Sequence, residues 1–260
     1  MSRPFQLSHN LQSDLKTRKI KLIRAVETDS FLDNANDVTL PSWPAFMLND
    51  SIANKYWSAL NREHRDFQFA LIDEKSQKWL AVGNCIPVHF SGALGTLPDT
   101  GWDWALKTGM EPVMPPTLLC ALSIQVLPEH RGRQLSTLMI QIMHEIGKHF
   151  GFAQLIAPVR PNKKSDYPLI PMDLYIEWSQ DAKRFDPWLR VHERLGAQIL
   201  NVCHESMEIS ATIEKWQAWT GLSFQSSGSY VVPGALAAIR IDVDKNRGEY
   251  IEPNVWMLHS

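Results

Sequence analysis

The sequence predicts one α/β domain, and three observations carry that prediction. An alternating, doubly apolar run at 117–127 reads as a buried strand. An apolar stripe at helical spacing follows it over 135–150, and a second apolar run, 152–160, ends at Pro161. Strand, charged turn, helix, strand is the repeating unit of a sheet covered by helices. In "TLLCALSIQVL", Leu118, Cys120, Leu122, Ile124 and Val126 share one face, and Leu119, Ala121, Ser123, Gln125 and Leu127 share the other. Both faces are mostly apolar, as a central strand covered on both sides requires. In "QLSTLMIQIMHEIGKHFG" the stripe is Leu135, Leu138, Met139, Ile142, Ile146 and Phe150, and Gly151 stops the helix.

The remaining elements follow in order. Residues about 11–35 read as helix, with Leu15, Ile20, Leu22, Ile23 and Val26 among lysines and arginines. The stretch 40–50 is broken by two prolines and reads as a loop. Asn49, Asp50 and Ser51 offer caps to a helix through "SIANKYWSALNREH". Two β-rich runs around the polar "DEKSQK" read as a hairpin. The Gly- and Pro-rich stretch after it is a long connection with room for a short helix. A further connection, 161–184, holds three prolines. Asp186 and Pro187 then supply the N-cap and first position of a short helix that stops at Gly196. "AQILNVCHESMEIS" is strand-like, "TIEKWQAWTG" a short helix, and the tail reads as strands joined by "DKNRGE". Strands and helices intermingle to the end with no linker, so residues 1–260 are expected to form a single domain.

Charge and composition narrow the function. The formal net charge of −2 gives no global attraction to nucleic acid or an anionic membrane, so any anion site must be local. The three cysteines, Cys85, Cys120 and Cys203, lie far apart, show no metal-ligand spacing and fit no closed disulfide framework. Cys120 and Cys203 sit in apolar contexts and are expected to be buried thiols. The N-terminal segment has no apolar core of a signal peptide, and no run approaches a membrane span. The expectation is a soluble, cytoplasmic protein without metal, nucleic-acid or membrane partner, acting as monomer or homodimer.

"EHRGRQLS", Glu129 to Ser136, joins the buried strand to the amphipathic helix. The first turn of a helix offers backbone N–H groups that have no intrahelical partner, and the helix dipole adds positive character. Arg131 and Arg133 add charge, Gly132 lets backbone approach closely, and Ser136 and Thr137 add hydroxyls. Taken alone, the stretch reads equally as a wet surface turn. No P-loop pattern and no G-x-G-x-x-G after a strand is present.

"IQVLPEHRGRQLSTLMIQIM" resembles motif A of the GNAT superfamily, the GCN5-related N-acetyltransferases, whose pattern Q/R-x-x-G-x-G/A lies between a strand and a helix. Arg131 matches the leading position, Gln134 stands where the first Gly is usual, and Ser136 where the second small residue is usual. "VHERLGAQIL" resembles the family's later Y-x-x-x-G-F frame, with His192 at the Tyr position. The match covers about residues 115–205, and the segments "DPWLRVHERLGA" and "EPNVWM" look like those of a bacterial subgroup of about this length.

The resemblance implies a mixed central β-sheet flanked by helices, here with an N-terminal helical elaboration. It implies acetyl-CoA, or another acyl-CoA, as co-substrate and a small-molecule or peptide amine as acceptor. Gln125, Val126 and Leu127 would hold the pantetheine. Arg131, Gly132, Arg133, Gln134, Leu135, Ser136 and Thr137 would cradle the pyrophosphate. An N–H near Val126 would stabilise the oxyanion of the tetrahedral intermediate. His192 would protonate the departing thiolate, although its neighbours Trp188, Val191 and Leu195 equally suit a packing histidine. Tyr167, Asp173, Tyr175 and Glu177, in the 161–184 connection, would border the acceptor. The His192 context also looks like that of GNAT-like domains in polyketide loading modules. That allows decarboxylation of an acyl-CoA or acyl transfer to a carrier thiol, and the irregular Gln134 allows a non-catalytic acyl-CoA-binding module.

Overall fold

In the computed structural model, residues 4–260 are described; the first three residues of the polar N-terminal segment lie outside them. The chain runs α1 (His9–Arg18), β1 (Ile20–Arg24), α2 (Phe31–Thr39), α3 (Ser51–Glu63), β2 (Gln68–Asp73), β3 (Trp79–Val88), α4 (Gly101–Met110) and β4 (Leu118–Val126). It continues with α5 (Leu135–His149), β5 (Leu155–Val159), α6 (Met172–Ile176), the two-residue strands β6 (Ser179–Gln180) and β7 (Lys183–Arg184), and α7 (Pro187–Arg194). The last elements are β8 (Gln198–Ala211), α8 (Ile213–Thr220), β9 (Gly228–Tyr230), β10 (Ile239–Asp242) and β11 (Arg247–His259).

One mixed sheet takes strands from both ends of the chain, in the order β1-β2-β3-β4-β5-β11-β10-β9, with β8 also paired to β11. The pairings are antiparallel except β4 with β5, which α5 connects as a crossover. The α/β fold with its mixed sheet and N-terminal helices is the one expected.

The helix expected over 11–35 is two helices with a strand between them. Lys19 takes a left-handed conformation (φ 57°) that ends α1, and Ile20–Arg24 then pairs with Asp73–Phe69 of β2. Sheet hydrogen bonds and burial of Ile20 outweigh the local helical pattern.

The alternation of β4 also breaks where periodicity cannot see it. Asn84 of β3 faces Ser123 and Cys85 faces Ala121, so Leu122 is an extra residue, a β-bulge. Its carbonyl accepts a hydrogen bond from Trp102 Nε1 at 2.9 Å. Before the bulge, Leu118, Cys120 and Leu122 pack with Trp102, Ala105 and Leu106 of α4 and Tyr56 and Leu60 of α3. On the opposite face, Leu119 packs with Leu135, Leu138, Met139, Ile142 and Ile146 of α5. The extra residue moves Ile124 and Val126 onto the α5 face, rather than the Leu118 face that strict alternation predicts, and transposes Ser123 and Gln125. All three cysteines are buried free thiols.

Candidate active site

Strands β4 and β5 are paired at only two positions, Leu119 with Leu155 and Cys120 with Ile156. On its other side β4 stays paired to β3 as far as Val126. Beyond Cys120 the two parallel strands therefore part, and the β5-facing edge of residues 121–126 has no strand partner. A cavity of about 770 Å³ fills the opening. It is lined by Ala121–Val126 on one side and by Ala157, Pro158, Val159 and Arg160 on the other. An unpaired strand edge inside a cleft can take an extended ligand as a further strand, through main-chain hydrogen bonds.

At the mouth, His130, Arg131, Gly132, Gln134, Leu135, Ser136 and Thr137 complete the wall. Gly132 (φ 78°) and Gln134 (φ 59°) both have left-handed backbone, and α5 starts directly after Gln134 with no side-chain cap. The N–H groups of residues 132–137 find no acceptor among the described residues; the first turn closes only with Leu138 N–H to the Gln134 carbonyl, at 3.2 Å. Unpaired donors at a helix start, with Arg131 beside them, make an anion cradle fit for a pyrophosphate. Gln134 adopts the left-handed conformation that favours glycine, so the departure from the pattern costs backbone strain.

The cavity floor is a buried polar network. Glu252 of β11 is fully buried and accepts from Arg160 Nε at 2.9 and 3.0 Å, Tyr250 OH at 2.9 Å and Asn254 Nδ2 at 3.2 Å. Arg160 also donates through Nη2 to the Gly234 carbonyl at 2.6 Å and lies over the Trp43 ring, 5.7 Å from its centroid. Its Nη1 has no partner among the described residues. Trp43, Trp102 and Met207 form the apolar side of this end. A smaller apolar pocket continues from Trp43, Trp102, Ser123 and Met207 to Trp57, Met47 and Leu48.

Helix α7 forms the remaining wall. Asp186 anchors its start, accepting from Trp188 N–H at 2.8 Å, Leu189 N–H at 3.1 Å and Tyr175 OH at 2.8 Å. Trp188, Arg190, His192 and Arg194 line the cavity. His192 is 3% exposed. Its Nδ1 lies 2.8 Å from Nε2 of His259, and its Nε2 is buried without a partner. Burial, followed by the neighbouring His259, holds its pKa well below the ordinary histidine value, so the ring is neutral near pH 7.

No family model matches the chain. It is 32% identical over 252 residues to the arginine N-acetyltransferase avaD of Aspergillus versicolor, across 84% of each protein. The chain belongs to the GNAT superfamily of N-acetyltransferases. It is an acyl-CoA-dependent N-acetyltransferase. The loading GNATL domain of CurA from Lyngbya majuscula shares the fold, with a TM-score of 0.61 at 16% identity over 93% of this chain and 97% of that one. So does the GphF GNAT-like decarboxylase, with a TM-score of 0.58 at 15% identity over 93% and 98%. The sequence relative is fungal, and none of these matches supports the bacterial subgroup named from "DPWLRVHERLGA" and "EPNVWM".

Within this GNAT chain the cavity collects Gln125, Val126, Arg131, Gly132, Gln134, Leu135, Ser136, Thr137 and His192. Two neighbours fall outside the lining. Leu127 packs beside Ala25, Phe31 and Val82. Arg133 Nη1 lies 3.1 Å from His130 Nδ1, and the Arg133 carbonyl accepts from Arg18. Leu135 has its side chain in the core, which leaves its backbone for the cavity. Of the 161–184 connection Asn162 lines the cavity, and the four residues expected at the acceptor, Tyr167, Asp173, Tyr175 and Glu177, fall outside the lining. Tyr167 and Tyr175 join Trp178 and Phe185 in an aromatic cluster, in which the rings bury one another edge to face. Asp173 pairs with His204 at 3.0 Å, and Glu177 is exposed on the turn after α6. Arg160, Glu252, Asn254, Trp43 and Trp102 were not singled out as site residues. The only sequence signal was that "EPNVWM" belonged to the family-like segments. Among the described residues, no group of His, Cys, Asp and Glu is placed to hold a metal ion, and no helix is long and apolar enough to cross a membrane.

Proposed function

We propose that the chain transfers an acetyl group from acetyl-CoA to arginine, or to a close relative carrying both an amine and a guanidinium. The observation that carries this is the 32% identity to an arginine N-acetyltransferase over 84% of both chains. The cavity supports it. Glu252 is the one carboxylate among the described residues that line it. The indoles of Trp43 and Trp102 line the same end and give an aromatic border suited to a planar cation, and the free Nη1 of Arg160 suits the acceptor's own carboxylate. The three free thiols fit a reducing, cytoplasmic setting.

In this reading the pyrophosphate sits on the N–H groups and Arg131 at the start of α5, and the pantetheine extends along the open edge of Gln125 and Val126. The thioester then lies where β4 and β5 part, beside the acceptor end. The amine attacks the carbonyl directly, so holding the two substrates together supplies much of the rate. A backbone N–H near Val126 stabilises the oxyanion. One proton of the tetrahedral intermediate must reach the sulfur as the C–S bond breaks, and in this reading the neutral ring of His192, in the wall of the cavity, takes it from the ammonium centre and passes it to the sulfur.

Release of CoA from acetyl-CoA should be assayed with arginine, agmatine, ornithine, lysine and norleucine. Arginine is expected to be the best acceptor by kcat/KM. Equal rates with norleucine, or no CoA release with any of these amines at millimolar concentration, would overturn the acceptor assignment. His192→Phe should lower kcat far more than it raises the KM for acetyl-CoA.

A further inference from the structure

Trp43, Trp102, Ser123 and Met207 border two cavities at once. On one side of them lies the main cavity, with Arg160, Glu252 and Asn254 on its polar floor. On the other lies the smaller pocket, of about 150 Å³. The connection from α2 to α3 closes it with Met47 and Leu48, and α3 with Ala53 and Trp57. The Trp57 ring stacks on that of Trp102, 5.9 Å between centroids. Among the described residues no charged side chain lines this pocket, and Thr39, Asn54 and Ser123 are its only polar members. Leu40 and Leu48 stand exposed at its outer rim. An ammonium or guanidinium group would lose its water here without gaining a partner, so the charged acceptor belongs on the polar floor. An apolar cavity of roughly 150 Å³ does hold a hydrocarbon guest the size of benzene, about six carbons.

We infer that the smaller pocket is an acyl-chain site, and that the enzyme transfers straight acyl groups of about four to six carbons as well as acetyl. This rests on the reading that lays the pantetheine along the open edge of β4. The direction of that strand decides which end of acyl-CoA meets the pocket. The anion cradle lies at 131–137, the open edge runs back from Val126, and it closes where β4 pairs with β5 again at Cys120. Ser123 stands between these limits and borders the pocket, so the part of the ligand that passes it is the acyl end. The bond changes are those of acetyl transfer. The amine nitrogen bonds to the carbonyl carbon, the C–S bond breaks with its electron pair on sulfur, and one amine proton ends on the CoA thiol. Each methylene that leaves water for the pocket is worth about fourfold in affinity. Carbons beyond the pocket pass Leu40 and Leu48 into solvent and add little.

Calorimetric titration of the full chain with acetyl-, butyryl-, hexanoyl- and octanoyl-CoA needs no acceptor, so it reads the pocket whether or not arginine is the amine. The Kd should fall from acetyl- to hexanoyl-CoA by on the order of tenfold or more and change little from there to octanoyl-CoA. Ala53→Leu, which fills the pocket from α3, should abolish that gain and leave the Kd for acetyl-CoA unchanged. Leu48→Asn, at an exposed position that accepts a polar side chain without unfolding, should weaken hexanoyl-CoA and spare acetyl-CoA. Butyryl- and hexanoyl-CoA should also serve as donors with kcat/KM no lower than that of acetyl-CoA. A flat acyl series, or rejection of butyryl-CoA by an enzyme that turns over acetyl-CoA, would overturn the inference. So would an Ala53→Leu enzyme that keeps the slope of the acyl series and raises the KM for the amine, since the pocket would then belong to the acceptor. The expected acyl series in an enzyme that releases CoA with none of the amines would uphold the acyl site and remove only arginine as acceptor.

Discussion

Arg160 and Glu252 join two strands of the sheet at the floor of the cavity. Arg160 Nε lies within 3.0 Å of both Glu252 oxygens, and the carboxylate is fully buried. β5 ends at Val159, and β11 carries Glu252 past it, so the ion pair stands where the sheet gives way to the site. The fully buried carboxylate could not remain there without the guanidinium, because the cost of burying an unpaired ion exceeds what the surrounding hydrogen bonds return.

Two substitutions at Glu252 should therefore differ in their effect. Glu252→Ala leaves the Arg160 guanidinium without its counter-ion and is expected to cost about 3–5 kcal/mol of stability. Glu252→Gln keeps the shape and most of the hydrogen bonds, so it should fold and show its effect in the KM for arginine. Denaturant unfolding of both variants, with acceptor kinetics on the second, checks this. A Glu252→Ala protein as stable as the parent would contradict it.

Gln134 is a non-glycine residue at φ 59°. Gln134→Gly should relieve that strain and raise stability by up to about 1 kcal/mol, while CoA affinity is kept or improved. Gln134→Val, β-branched at the same backbone, should lose both. The midpoint of urea unfolding and a calorimetric titration with CoA measure the two effects. A loss of CoA affinity in Gln134→Gly would show that the glutamine side chain itself contributes to binding.

Arg131 stands at the cavity mouth beside the unpaired N–H groups. Arg131→Ala is expected to raise the Kd for CoA by about tenfold, the scale of one charge-assisted hydrogen bond. The effect should shrink for a pantetheine fragment that lacks the phosphates. Equal losses for CoA and the fragment would place Arg131 somewhere other than on the phosphates.

Two carboxylates, the buried Asp50 and the half-buried Asp103, set a pH dependence of stability. Asp50, which caps α3 through Ala53 N–H at 2.7 Å, is raised to about 6, chiefly by burial. Asp103 is raised to about 8 by burial and then by the charge of Asp50. Between pH 4 and 8 the folded chain thus holds protons at these sites that the unfolded chain has already lost. Stability falls as pH rises through that window, the reverse of a salt-bridged carboxylate. Asp103→Asn should remove most of the upper part of the fall, stabilising the protein at pH 8 and changing little at pH 4. Melting temperatures of the two proteins across this range test it. A parallel pair of curves would exclude Asp103 as the cause.

The strand–turn–helix–strand around "EHRGRQLS" was legible because its signals are local. Period-two alternation, a 3.6-residue stripe and a Gly in a charged turn depend only on neighbours in sequence. Asp186 and Pro187 marked the start of α7 for the same reason. The family motif then placed Gln125, Val126, Arg131 and His192 near one another without any coordinates. What lay beyond this reach came from contacts between distant segments. The bulge at Leu122 arises from its pairing with β3, so alternation misassigned the faces of Ile124 and Val126. Ile20–Arg24 became a strand only because β2 lies beside it. The resemblance put Tyr167, Asp173, Tyr175 and Glu177 at the acceptor, but Tyr167 and Tyr175 pack with Trp178 and Phe185 in an aromatic cluster outside the cavity lining. The cavity instead unites Trp43, Trp102, Arg160 and Glu252, and His259 reaches His192 across 67 positions of chain. Local periodicity decides which residues form an element and which side of it is apolar. Only the packing of the sheet decides which elements meet, and a buried charge or an unpaired imidazole acquires its chemistry from the residue it meets there.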